Sequence, residues 1–139
     1  MKIDKIALWV AQLDDRPGGA LKALNVLSEV GVDLSFLVAR RQADRIGKGI
    51  VFVSPIEGSK AEAAAQKAGF IRSIDVVAVR VAGENKPGLG AKLTKAVADA
   101  GLNLRAINGN VIDKKFTLVF AFDNDADANS GLEALKKIK

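Results

Sequence analysis

Asp15-Arg16-Pro17-Gly18-Gly19 and, seventy positions later, Asn85-Lys86-Pro87-Gly88-Leu89 are the stretches whose reading decides the fold. Each Pro-Gly is followed at the same distance by a glycine, an aliphatic residue, Asp or Asn, and leucine. These are Gly31-Val32-Asp33-Leu34 in the first half and Gly101-Leu102-Asn103-Leu104 in the second. Lys22 and Lys92 fall in the same frame. One such match arises by chance, but several in one register mark an internal duplication. Upstream of each Pro-Gly lies an apolar run, opened by Ile3-Asp4 in one half and Ile74-Asp75 in the other.

Working outward, the same order of elements is expected twice. Residues 6–11 read as a strand by apolar content and length. Pro17 suits the first turn of a helix, where its missing N–H costs nothing. Leu21, Leu24, Leu27 and Val30 recur every three residues and predict one buried stripe. Gly31 stands where a left-handed glycine ends a helix. Strands are expected over 32–39 and 49–54, with a polar turn between them and Pro55 closing the second. An alanine-rich helix over 61–68 and a short strand over 70–73 complete the first half. The second half predicts strands over 74–81, 102–108 and 116–122, with helices over 88–100 and about 128–138. No stretch after Lys139 supplies its closing strand.

Composition narrows the chemistry. The 139 residues include no Cys, no His and no Tyr. That inventory excludes zinc fingers, thiol nucleophiles, imidazole bases and facial-triad metal sites. No catalytic residue, metal or cofactor is therefore expected, and no disulfide framework. The amino terminus lacks a signal-peptide core, since Asp14, Asp15 and Arg16 follow closely. No apolar run approaches the roughly 20 residues needed to span a bilayer, so a cytoplasmic protein is expected. The net charge of +5 is spread among 16 acidic residues, and its densest cluster, Lys136, Lys137 and Lys139, suits a helix C-terminus. Aromatics are 5%, and the Lys/Arg-Gly-Phe run of RNA-recognition modules is missing, so RNA binding is the weaker reading. Gly88-Leu89-Gly90 lacks the third glycine of a dinucleotide fingerprint. Asp123, Asp125 and Asp127 alternate like a calcium loop, but Ala128 stands where its glycine belongs.

Residues 50–53 and 117–122 are apolar at nearly every position, the pattern of strands covered on both faces. Four helices cover one face. The other is expected to meet a second copy in a homodimer, through sheet surfaces including Trp9, or else a second sheet within the chain.

The loop between first strand and first helix is the candidate site in each half. A helix start leaves backbone N–H groups unpaired and presents the positive end of the helix dipole, which receives a carboxylate. Asp14 and Asp15, or Glu84 and Asn85, offer oxygens to an ammonium group. Asp33 and Asn103 are expected beside the same loops. Together these suit a zwitterion such as a free amino acid. Alternatively, Asp15 and Asn85 cap their helices, and Gly31 and Gly101 merely end them.

These residues carry a resemblance. Both Pro-Gly loops, with Glu29 to Leu34 and Ala100 to Leu104 behind them, resemble the ACT domain, and the whole chain is similar to small proteins built of two tandem ACT domains. The resemblance implies an α+β fold of two ferredoxin-like β-α-β-β-α(-β) units, residues 1–70 and 71–139. The units would share one antiparallel sheet, with helices on one face and an amino acid bound where units pair. Carried over by position, the ligand contacts would be Asp15, Arg16, Gly18, Gly19 and Asp33 in the first unit. In the second they would be Asn85, Lys86, Gly88, Leu89 and Asn103. Aspartates stand in the first half where asparagines stand in the second, so the two sites should differ in charge. The family regulates enzymes. With no room here for a catalytic domain, the target would be another protein, either through a sensed ligand or as a regulatory subunit of an amino-acid metabolic enzyme.

Overall fold

A computed structural model describes all residues 1–139. The elements run β1 (Lys2–Ile6), β2 (Trp9–Asp14), α1 (Gly19–Glu29), β3 (Phe36–Arg41), β4 (Lys48–Ser54), α2 (Ser59–Lys67), β5 (Ile71–Arg72) and β6 (Val77–Glu84). They continue with α3 (Leu89–Asp99), β7 (Ala106–Ile112), β8 (Lys115–Phe122) and α4 (Asp125–Lys136). The expected α+β class and the repeated ferredoxin-like pattern are both present. Every ladder is antiparallel. The strands form two separate four-stranded sheets, ordered β3-β4-β2-β5 and β1-β6-β8-β7. The expected single sheet shared by both units is thus not formed within the chain.

The chain divides into two compact units, residues 7–73 and residues 1–6 with 74–139. The expected boundary after residue 70 placed the first residues with the first half. Instead β1 pairs with β6, from Lys2 opposite Ala82 to Ile6 opposite Ala78. It fills the outer position that β5 fills in the other sheet, so the closing strand missing from the end of the chain comes from its beginning. Side chains fasten it. Arg80 donates to Asp4, directly across the ladder, at 2.9 Å. Lys5 bonds Asp125 and Asn129 of α4. The counterpart of β6 is therefore β2, at the seventy-residue offset. The matched openings Ile3-Asp4 and Ile74-Asp75 are not equivalent, because Ile3 lies in β1 and Ile74 is exposed and outside any strand.

In the unit of residues 7–73, Ala23 and Leu27 of α1 and Ala61 and Ala65 of α2 pack with Trp9, Ala11, Leu13, Val51, Val53 and Phe70. Trp9 is a core residue at 5% exposure and offers no sheet surface to a partner. The expected leucine stripe is also displaced. Leu21 is 67% exposed, because a step of three drifts around a helix of 3.6 residues per turn; the buried line runs instead through Gly19, Ala23 and Leu27. In the other unit Leu93, Val97, Ala128 and Leu135 pack with Val79, Val81, Phe116, Phe120 and Phe122. Gly131 of α4 lies against Phe122, whose ring would be 2.4 Å from a Cβ placed there. Asn124 caps α4 by accepting from the Asp127 N–H at 2.8 Å, so the alternating aspartates that follow β8 open a helix.

Candidate functional site

The β2–α1 connection is built by a sequence of tight local bonds. β2 ends at Asp14, and the Asp14 carbonyl accepts the Arg16 N–H two residues on, at 3.0 Å, a γ-type turn. The Asp15 N–H donates to the Gly47 carbonyl at 3.0 Å, tying the loop to the β3–β4 connection. Pro17 precedes the helix and does not enter its first turn. Gly18 is the N-cap, left-handed at φ 85°, a conformation glycine adopts at little cost. Gly19 then packs so closely on the turned Asp14 carbonyl that a Cβ would sit 2.0 Å from its oxygen.

The second unit repeats the outline. Asn85 donates its N–H to the Lys114 carbonyl at 2.8 Å, and Gly88 is the N-cap of α3 at φ 82°. It has no counterpart of the turn from Asp14 to Arg16. Leu89 stands where Gly19 stands, and its side chain packs on the core. The two loops are homologous in course and different in detail.

No side chain caps α1 or α3, which removes the capping reading of Asp15 and Asn85. Asp15 instead accepts from Arg41 Nε at 2.6 Å. Asp14 accepts from Lys48 Nζ at 2.9 Å, and Arg16 lies 3.5 Å from its other oxygen. The Lys48 hydrogen bond, then the charges of Lys48 and Arg16, hold the Asp14 carboxyl below its ordinary value of 3.8. A carboxyl lowered on folding contributes stability above its unfolded pKa, and that contribution is lost as pH falls through the folded value. Replacement Lys48→Met removes the first and largest cause. The Asp14 carboxyl resonance of that variant is expected to titrate closer to 3.8 than in the wild type.

A cavity of about 380 Å³ opens beside this loop. The end of β2, the turn from Arg16 to Gly19, and Lys22 and Val26 of α1 form its walls. The Lys22 side chain makes no hydrogen bond or ion pair within the chain, whereas Nζ of its counterpart Lys92 donates to the Lys139 carbonyl at 2.9 Å. Arg16 and Lys22 give the cavity two cations against the single, already paired Asp14. Among the expected helix-start amides, Gly19 and Leu89 already donate to the carbonyls of Arg16 and Lys86, at 3.0 and 3.2 Å. The N–H groups of Gly18 and Gly88 have no partner within the chain.

Asp15, Arg16, Gly18 and Gly19 are thus brought together, as are Asn85, Lys86, Gly88 and Leu89. Asp33 and Asn103 are not beside those loops. Each follows the C-terminus of its helix, whose 11 residues separate it from the Pro-Gly end by about 16 Å at 1.5 Å per residue. Lys48 went unrecognised in the sequence as a site residue. Only the β2–β4 register, which sets Asp14 opposite Lys48, reveals it.

The ACT domain family model matches residues 77–139. Those residues are an ACT domain. The other unit, residues 7–73, repeats the ACT strand order with its own closing strand. No curated protein matches the sequence. Among solved structures, protein BT0572 from Bacteroides thetaiotaomicron is similar over 97% of this chain and 89% of its own, at 20% identity and a TM-score of 0.78. The ligand-free regulatory subunit of aspartate kinase from Thermus thermophilus is similar over 98% of this chain and 94% of its own, at 20% identity and a TM-score of 0.65. The corresponding subunit from Thermus flavus reaches 0.63 at 19% identity, over 98% and 94% of the two chains. At these identities the likeness is one of fold, and it runs across the whole chain.

Proposed function

We propose that this chain is an amino-acid-sensing regulatory protein rather than an enzyme, and that the β2–α1 loop of its first unit is the principal ligand site. The observation that carries this reading is the cavity of about 380 Å³ at the start of α1. The Gly18 N–H and the side chains of Arg16 and Lys22 suit a carboxylate there, and the oxygens of Asp14, with Asp15 beside the cavity, would receive an ammonium group in exchange for their present ion pairs. The corresponding loop of the second unit, with Asn85, Lys86, Gly88 and Leu89, would hold the weaker or differently selective site. Asp33 and Asn103 would not reach the loop of their own unit, and the reading includes a homodimer in which a second copy supplies them. A ligand held by two copies stabilises one arrangement of them by its differential affinity, and an enzyme or regulator bound to that arrangement senses it. The aspartate kinase regulatory subunits share this fold, which supports a regulatory role. No helix is long and apolar enough to cross a membrane, and a cytoplasmic setting fits the reading.

A thermal-shift screen of the proteinogenic amino acids tests it. A ligand present at a hundred times its Kd adds about 2.7 kcal/mol of stability, worth on the order of 10 °C or more for a unit of this size. Absence of any shift across the set would overturn the proposal.

A further inference from the structure

Lys22 and Lys92 hold the same place on their helices, four residues after the N-cap glycine. Each donates its backbone N–H to that glycine's carbonyl at 3.0 Å, Lys22 to Gly18 and Lys92 to Gly88. Their side chains end differently. Lys92 Nζ crosses from α3 to the segment after α4 and donates to the Lys139 carbonyl at 2.9 Å. In the first unit the segment after α2 begins at Ala68, which lines the same cavity as Lys22. It supplies no acceptor, and Lys22 Nζ stands without a partner on the wall of about 380 Å³ of open space.

The surroundings of that ammonium group are positive. Arg16 lines the same cavity, and the start of α1 adds its partial positive charge. The nearby carboxylates are already shared out, Asp14 to Lys48 at 2.9 Å and Asp15 to Arg41 at 2.6 Å. Around the loop, Arg16, Lys22, Arg41 and Lys48 thus set four cations against the two carboxylates of Asp14 and Asp15, an excess of two. A basic ligand raises that excess and a neutral zwitterion leaves it unchanged. Only a ligand of net negative charge lowers it.

The two cations of the cavity also lie apart. Arg16 precedes the N-cap, whereas Lys22 stands about 6 Å beyond it along the helix axis, at 1.5 Å per residue. A carboxylate at the Gly18 N–H is within reach of Arg16. A second one, a short carbon chain away on the same molecule, falls to Lys22. Leu13, Pro17 and Val26 line the cavity as well and would cover that chain.

We infer that the ligand of this site carries two carboxylates, one held at the start of α1 with Arg16 and the other by Lys22. The inference rests on the site of the proposed function and names the ligand class: an acidic amino acid, or a dicarboxylic acid without the ammonium group. Thermal-shift titrations of the full chain with aspartate, glutamate, asparagine, glutamine, succinate and inorganic phosphate test it. Aspartate or glutamate is expected to raise Tm at concentrations where its amide counterpart does not. Lys22→Met is expected to raise the half-maximal concentration of the acidic ligand by roughly fivefold or more. Lys22→Arg is expected to keep the preference, as is Lys92→Met in the second unit. Lys22 is exposed, and melting without ligand confirms that each variant is folded. Asparagine or glutamine binding as tightly as the acids would overturn the inference and leave the amino-acid site standing. A shift with succinate and with no amino acid would support the two carboxylates and overturn the amino-acid reading. An equal shift from inorganic phosphate would overturn the inference by marking a site for any anion. An acidic preference that survives Lys22→Met would overturn the role of Lys22, and no shift with any compound would overturn both readings.

Discussion

Removing residues 1–6 is expected to unfold the second half of the chain and leave the first half folded. β1 lies at the amino terminus but belongs to the sheet of β6, β8 and β7. Its loss strips a five-residue ladder from β6, exposes the buried strand that carries Val79 and Val81, and removes Ile6 and the Ile3 contact with the core. Burying an isoleucine is worth about 1.5–3 kcal/mol, and each ladder hydrogen bond about 1 kcal/mol. A loss of about 4 kcal/mol or more follows, comparable with the whole stability of a unit this size at roughly 0.05–0.15 kcal/mol per residue. Amide hydrogen exchange reads the outcome directly. Val79, Val81 and Phe120 should lose protection while Val51 and Val53 keep theirs. The opposite order would show that β1 serves the first unit.

Gly19→Ala is expected to damage the candidate site more than any other single methyl group. The added carbon would lie 2.0 Å from the Asp14 carbonyl oxygen, and that carbonyl is held by the Arg16 N–H. Backbone cannot yield as a flexible side chain does. The turn must open, at about 1–3 kcal/mol, and the cavity wall from Asp14 to Gly19 opens with it. Any amino-acid thermal shift seen in the wild type should disappear in this variant. Gly90→Ala, at the second position of α3 with open space around its Cβ position, is the matched control. It should gain roughly 0.5–1 kcal/mol by helix propensity and keep the shift. Retention of the shift by Gly19→Ala would place the ligand elsewhere.

Much of this fold was legible in the sequence, because its strongest signals are local. Pro-Gly followed by a second glycine thirteen residues on brackets each first helix, and the left-handed Gly18, Gly31, Gly88 and Gly101 stand where the repeat put them. The ends of strands were less legible. β2 and β6 start three residues later than the apolar runs suggested: Ile6 belongs to β1, where it pairs with Ala78, and residues 74–76 lie in the connection before β6. The placement of β1 was hidden for another reason. Lys2-Ile3-Asp4-Lys5-Ile6 carries no mark of which β-strand it will meet, and its partner lies some eighty residues away.

The site divides in the same way. Gly18 and Gly88 could be read from backbone demands alone. The ion pairs of Asp14 with Lys48 and of Asp15 with Arg41 required the register between strands that are distant in sequence. Asp33 and Asn103 were placed beside the loops because the repeat lists them in order after each helix. The helix itself carries them to the opposite end of the sheet.

The borrowed strand also sets an order of events during synthesis. Residues 2–6 leave the ribosome ahead of residues 7–73, and their partner β6 and the neighbouring β8 follow only after that whole unit has emerged. That unit has all four of its strands in hand and can fold as it appears. The amino-terminal segment must meanwhile stay extended and unpaired, and its alternation of Lys and Asp with isoleucine keeps it soluble while it waits. Closure of the second sheet thus follows the folding of the first unit, and it forms the ladder of greatest sequence separation in the structure.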